Sequence, residues 1–278
     1  MRLRGIFMTF LTLAVMVSCT GNARFITTDG AQFIRDGKPY YYVGANYWAG
    51  PLLASPGESG DRERLAKDLD ALQAAGVDNL RVLVGADENG KNNRSIIPYL
   101  QSEPGVLDQD LLIGLDYFMA ELGKRGMTAV LYFNNHCPWS GGYTYYVKKV
   151  TGEEPPTYGT PEYADFASRF ISMDETKELF YNYLRQIVGR VNSITGVAYK
   201  DDPAIFSWQI ANEPRAFKDE LHQAFKEYLH KSAEIIRSID RNHMISTGCE
   251  GQQGCENIPE DYEAIHSDPL ISYCTFHI

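Results

Sequence analysis

The stretch Trp208-Gln209-Ile210-Ala211-Asn212-Glu213-Pro214-Arg215 ends an apolar run with a carboxyl group held between an amide and a proline. A carboxyl fixed at the end of a buried strand can deliver a proton into a cleft. Cleaving a glycosidic bond requires such an acid, because an alkoxide is too poor a leaving group at neutral pH. The Asn212 amide beside it can hydrogen-bond a sugar 2-hydroxyl, a contact that strengthens as positive charge develops at the anomeric carbon. The same residues also read as a helix-capping Asn next to a surface Glu. Their neighbours along the chain decide between the two.

Stepping through the sequence, apolar strand-like runs alternate with helical spacing. Two turn signals, Asp29-Gly30 and Asp36-Gly37, predict a small hairpin around 32–34, followed by a first long strand at 40–44. Helices are expected at 61–75, with Asp61 as N-cap and Gly76 as stop, and from Asp108 to Gly126. Further helices are expected from Asp174 through Val191, over 220–239 and near 260–265. Between them lie strands at 77–85, 127–133, 204–210, 244–247 and 270–278, and a long polar, aromatic connection at 134–173. Strands that alternate with helices imply a parallel sheet with helical crossovers, either an open doubly wound sheet or a TIM (β/α)8 barrel. No Gly-rich phosphate loop follows the first strand. Arg81, Asn134-Asn135-His136, Asn212-Glu213, Glu250 and His277 all fall at or just past strand C-termini, where a barrel places its active site.

Bulk properties narrow the partners. A formal net charge of −10 argues against nucleic acid, since nothing offsets phosphate repulsion. At 278 residues and 44% hydrophobic, the chain can bury a large core as one barrel or as two smaller domains. The basic start Met1-Arg2-Leu3-Arg4 leads into an apolar run, 6–17, too short to span a membrane and suited to export. Val17-Ser18-Cys19 then resembles a bacterial lipoprotein signal over 1–19, with Cys19 lipidated. The expected location is secreted and held at the cell envelope by an N-terminal lipid anchor; a plain signal peptide is the other reading. Cys137, Cys249, Cys255 and Cys274 make no zinc-like spacing, so neither metal nor cofactor is expected. Cys249 and Cys255 either close a short disulfide loop or remain thiols.

Five stretches, taken together, resemble glycoside hydrolase family 5 and its β-mannanase subgroup: Gly44-Ala45-Asn46-Tyr47-Trp48, Asn79-Leu80-Arg81-Val82, Asn134-Asn135 with Trp139-Ser140-Gly141-Gly142, 208–215, and Phe276-His277-Ile278. The resemblance implies a barrel domain over 20–278 and a retaining endo-β-1,4-mannanase acting on β-mannan. Glu213 would be its acid/base, with Asn212 beside it. Arg81 would orient the nucleophile, and His277 would sit near the acid. Arg215 and Glu250 would contact sugar hydroxyls on the leaving-group side, with Asn135 also binding substrate. Trp48 and Trp139 are expected as sugar-stacking platforms, against a core reading for each; Arg81 has a barrel ion pair as its other reading. His136-Cys137-Pro138 stands where the family has a second large aromatic, which puts one distal subsite in question. The resemblance places the nucleophile at the end of a seventh strand, beyond residue 278. The expectation is therefore a barrel of about six βα units that is inactive alone. The alternatives are another family 5 β-glycanase such as a cellulase, or a non-catalytic surface glycan-binding lipoprotein.

Overall fold

A computed structural model describes residues 25–89 and 95–278. The leader segment with Cys19 lies outside the described residues. Three short strands open the fold as an antiparallel meander: β1 (Thr27–Asp29), β2 (Gln32–Arg35) and β3 (Lys38–Tyr40). Next come β4 (Gly44–Asn46), α1 (Gly50–Ala54), α2 (Arg62–Ala74) and β5 (Asn79–Leu83). A two-stranded hairpin, β6 (Gln101–Glu103) and β7 (Val106–Leu107), precedes α3 (Gln109–Arg125) and β8 (Thr128–Asn135). Three helices follow, α4 (Tyr143–Thr151), α5 (Pro161–Ser172) and α6 (Asp174–Val188). The rest is β9 (Ile205–Asn212), α7 (His222–Ile239), β10 (Met244–Ser246) and α8 (Pro259–His266).

The main sheet runs β4-β5-β8-β9-β10, every neighbour parallel. Order in space follows order in the chain, without the reversal that defines a doubly wound sheet. This is the singly wound arrangement of a (β/α)8 barrel, of which the described residues form a part.

Each strand presents one face to the helices and one to the barrel interior. On β8, Ala129, Leu131 and Phe133 join the helix-facing core, while Val130 and Tyr132 line the interior. On β5, Leu80 and Val82 face the helices and Arg81 faces inward. The caps are those the sequence signals. Asp61 accepts from the Arg64 N–H at 2.9 Å and Asp108 from the Leu111 N–H at 2.9 Å, and Gly126 closes α3 at φ +68°. On α3, Leu115, Phe118, Met119 and Leu122 are fully buried, each stabilising the fold by about 1.5–3 kcal/mol through burial.

Several expectations need correction. The first barrel strand is β4, not 40–44. Tyr40 ends the meander, and Tyr41 and Val43 are 79% and 60% exposed, so that apolar run is not a buried strand. The connection 134–173 contains two helices, α4 and α5. Helix α6 begins at Asp174 as expected but stops at Val188, short of Val191. Residues 270–278 run beside β10 without forming a ladder strand: the Ser272 N–H reaches the Ile245 carbonyl at 2.8 Å, and the next such bond is His277 N–H to Glu250 at 3.1 Å. Bonds five residues apart do not make a continuous pairing. All four described cysteines are free thiols, so the Cys249–Cys255 disulfide is not formed.

Candidate active site

The C-terminal ends of β4, β5, β8 and β9, with residues 273–278, enclose a cleft of about 840 Å³. Trp48, Arg81, Trp139, Asn212, Glu213 and His277 all line it. Glu213 follows directly on β9, and its position depends on a close approach between chains. Its N–H donates to the Gly248 carbonyl at 3.0 Å, and the Ala211 N–H to Thr247 at 3.2 Å. Gly248 has φ +80°, and a Cβ there would lie 1.8 Å from the Ala211 carbonyl oxygen, so only glycine fits beside the site. Glu213 itself sits at φ +50°, a left-handed conformation that costs a non-glycine residue on the order of 1–3 kcal/mol. Strain of this kind turns the carboxyl away from the strand direction and into the cleft.

The Glu213 carboxylate is joined to His277, Nδ1 to Oε1 at 2.6 Å. That hydrogen bond holds the Glu213 carboxyl below the usual glutamate titration range against the opposing effect of burial, with the charges of His277, His136 and Arg215 adding to the pull. Glu213 is the one carboxylate lining this cleft among the described residues.

An amide network stands behind it. Asn212 Nδ2 donates to Asn135 Oδ1 at 3.2 Å; the same oxygen accepts the Cys137 N–H at 3.0 Å, and Asn135 Nδ2 reaches Ser140 Oγ at 3.0 Å. Asn135 is buried beneath Asn212 and does not line the cleft. The loop 138–142 is locked in turn by Asp87, whose carboxylate accepts the Gly142 N–H at 3.1 Å and Gln101 Nε2 at 2.8 Å. Any Cβ at Gly142 would lie 2.0 Å from the Asn135 carbonyl oxygen. Full burial pushes the Asp87 carboxyl up to about 7. Trp139 rides on this loop at 37% exposure, and Trp48 stands across from it at 47%. Both are open to a ligand and neither belongs to the core.

Arg81 donates from Nε to Gln209 Oε1 at 2.7 Å and lies over the Tyr132 ring at 4.4 Å. Its Nη2 is buried with no hydrogen-bond partner, and among the described residues it forms no ion pair. An unspent guanidinium nitrogen beside a cleft suits a carboxylate or hydroxyl brought there. Arg215 and Glu250 are bonded to each other and sit beside the cleft without lining it.

Asp87, Tyr132 and Gln209 were not singled out from the sequence. For Gln209 a signal existed, since Ser207 and Gln209 alternate with Trp208 and Ile210 inside an otherwise apolar run. Asp87 carried none, because both its partners are distant in the chain.

Comparison with known proteins agrees with this architecture. The family model described as GH family 5 beta-mannosidase-like matches residues 23–278. The chain belongs to glycoside hydrolase family 5, within its mannosidase-like group. It is 32% identical over 266 residues to the rice protein named putative mannan endo-1,4-beta-mannosidase 9, covering 92% of this chain and 61% of that one. It is 31% identical to tomato mannan endo-1,4-beta-mannosidase 1, covering 92% and 59%. Among solved structures, the family 5 mannosidase from Rhizomucor miehei superposes with a TM-score of 0.81 at 30% identity, over 92% of this chain and 62% of that one. The chain thus spans about 60% of the length of the relatives it matches.

Proposed function

We propose that the protein acts as a retaining endo-β-1,4-mannanase in which Glu213 protonates the leaving oxygen and later deprotonates the attacking water. The observation that carries this reading is the placement of a single carboxylate, turned by a left-handed residue at the end of β9, into a cleft flanked by two exposed tryptophans. The names of the relatives supply the substrate class. In this reading Trp48 and Trp139 stack on sugar faces, which are apolar enough to pack against aromatic rings. Asn212 takes the 2-hydroxyl, while the Arg215–Glu250 pair flanks the leaving-group side. The free Arg81 Nη2 orients the nucleophile. That second carboxylate is not among the residues lining the cleft, and Glu250 is already engaged by Arg215.

The hold of His277 on the ionised form of Glu213, and the lack of a second carboxylate in the cleft among the described residues, favour one other reading, a glycan-binding protein without turnover. One experiment separates the two. The full-length protein to which this chain belongs is incubated with β-mannan and with cellulose while reducing ends are counted, and NMR identifies the first-formed anomer. Mannan cleavage with the β-anomer first is expected. Binding without reducing-end release, α-anomer first, or cleavage confined to cellulose would each refute the proposal. Membrane attachment through a lipidated Cys19 belongs to the same proposal, because acyl chains on one residue anchor by burying methylenes. Cys19→Ala should move the protein from the membrane to the soluble fraction, and an unchanged membrane fraction would disprove the anchor.

A further inference from the structure

Immediately behind the proposed acid lie two side chains with no part in the hydrolysis. His136 and Cys137 follow β8 and are 4% and 1% exposed. Together with Glu213 they offer an imidazole nitrogen, a sulfur and a carboxylate oxygen, all within 4.8 Å of one another. His136 Nε2 is 3.2 Å from Cys137 Sγ, and Tyr158 Oη lies 3.2 Å from the same sulfur. We propose that His136, Cys137 and Glu213 form a binding site for a thiophilic divalent cation of the zinc–cadmium type, whose occupation withdraws the Glu213 carboxylate from the cleft.

The donor set fits that ion class. Imidazole and thiolate select zinc and softer ions over magnesium or calcium, which require mostly oxygen. Zinc bound at its usual 2.0–2.3 Å from each ligand would hold the donors roughly 3.3–3.6 Å apart. The nitrogen and sulfur already stand close to that spacing. A turn of the Glu213 side chain, whose oxygen already lies within 4.8 Å of both donors, closes the third side. A water from the cleft completes four-coordination, as in zinc sites with three protein ligands.

Charge supports the same conclusion. On binding, Cys137 loses its Sγ proton to solvent, His136 lends the lone pair of a neutral ring, and Glu213 contributes its carboxylate. One thiolate and one carboxylate cancel the two charges of the ion, so no net charge is left in a poorly solvated site. Release of one proton per ion means that apparent affinity should rise about tenfold per pH unit. In the ion-free protein two of the three groups are already spoken for: the thiol by Tyr158 and the carboxylate by His277.

The consequence for hydrolysis rests on Glu213 being the acid, but the site itself does not. The test is therefore a titration of the full chain with cadmium chloride, without substrate, in a background with Cys19 and the exposed Cys274 replaced by Ser. The expected result is a thiolate-to-cadmium charge-transfer absorption that saturates at one ion per chain. It should be absent in Cys137→Ser, and Glu213→Gln should weaken binding by about tenfold or more. Persistence of the absorption in Cys137→Ser, or unchanged affinity in Glu213→Gln, would overturn the site. Should Cys137→Ser fail to fold, cobalt chloride added to the same background decides the matter. Intense tetrahedral bands with thiolate charge transfer support the site, and a pale octahedral spectrum removes it. Loss of mannan cleavage in Glu213→Gln with no cadmium binding would sink this site alone. Cadmium binding without any mannan cleavage would sink only the proposed function.

Discussion

Replacing Glu213 by Gln should lower turnover on polymeric mannan by about 10²–10⁴-fold while mannan binding stays nearly constant. Gln has the shape of the protonated acid and can still hydrogen-bond His277, so the backbone at φ +50° has no new reason to relax. What it cannot do is give up a proton to the leaving oxygen. The deficit should therefore depend on the leaving group. An aryl mannoside with an acidic phenol departs without help, so the first step should survive and the second, which needs Glu213 as base, should stall. A burst of phenolate stoichiometric with enzyme, followed by slow turnover, is the expected trace. The structure adds one requirement. The His277 hydrogen bond draws Glu213 toward its ionised form, so holding the proton before attack calls for a negative neighbour once substrate binds. Near-wild-type turnover of Glu213→Gln on mannan would end the assignment.

Glu213 was readable from sequence because its signal is local: an apolar strand that stops at Asn-Glu-Pro. The capped helices were readable for the same reason, since Asp61, Asp108 and Gly126 bond within a few residues of themselves. Helix α4 was not. It is only nine residues long, and its first five, Tyr143, Thr144, Tyr145, Tyr146 and Val147, are all buried, so it carries too few turns to establish a helical period. Strand β4 failed in the opposite way. Gly44-Ala45-Asn46 has almost no apolar signal, whereas the exposed Tyr41 and Val43 just before it imitate one. The site's inner support was illegible as well. Asp87 acts through Gln101 and Gly142, and Asn135 supports Asn212, partners brought together only by folding, and the left-handed turn at Glu213 is held by the Gly248 carbonyl just past β10.

Asp116→Ala should destabilise the fold by about 3–5 kcal/mol, among the largest losses available to one substitution here. Asp116 is fully buried on α3 and accepts from Arg190 Nε and Nη2 at 2.8 and 2.6 Å. It also accepts from the Ser193 N–H and hydroxyl at 2.9 and 2.6 Å, and from the Tyr199 hydroxyl at 2.7 Å. Burial alone would push its carboxyl up, but the hydrogen bonds from Arg190, Ser193 and Tyr199 together hold it below the usual aspartate range. Alanine would strand a guanidinium and three other donors in a space that water enters poorly. The consequence reaches the cleft, because this hub fixes the segment that feeds β9. Tyr199 stacks on Trp208 at 6.4 Å, Trp208 stacks on Phe133 at 5.5 Å, and its indole N–H is held by Asp240 at 2.7 Å. Glu213 lies on the same strand's continuation. For a domain of this size the loss corresponds to a fall in Tm of roughly 10 °C. An exposed control, Glu63→Ala, removes the Lys67–Glu63 pair on α2 and should change stability by no more than about 0.5 kcal/mol. Because the folded state holds the Asp116 carboxyl below its ordinary titration range, its contribution is complete above the ordinary aspartate value of 3.8 and is lost as pH falls through the lower folded-state value. The melting curves of wild type and Asp116→Ala should accordingly stay well apart at neutral pH and converge only in strong acid. A gap of a degree or less at pH 7 would mean that water or a rearranged Arg190 satisfies the stranded donors, and that β9 is positioned without this hub.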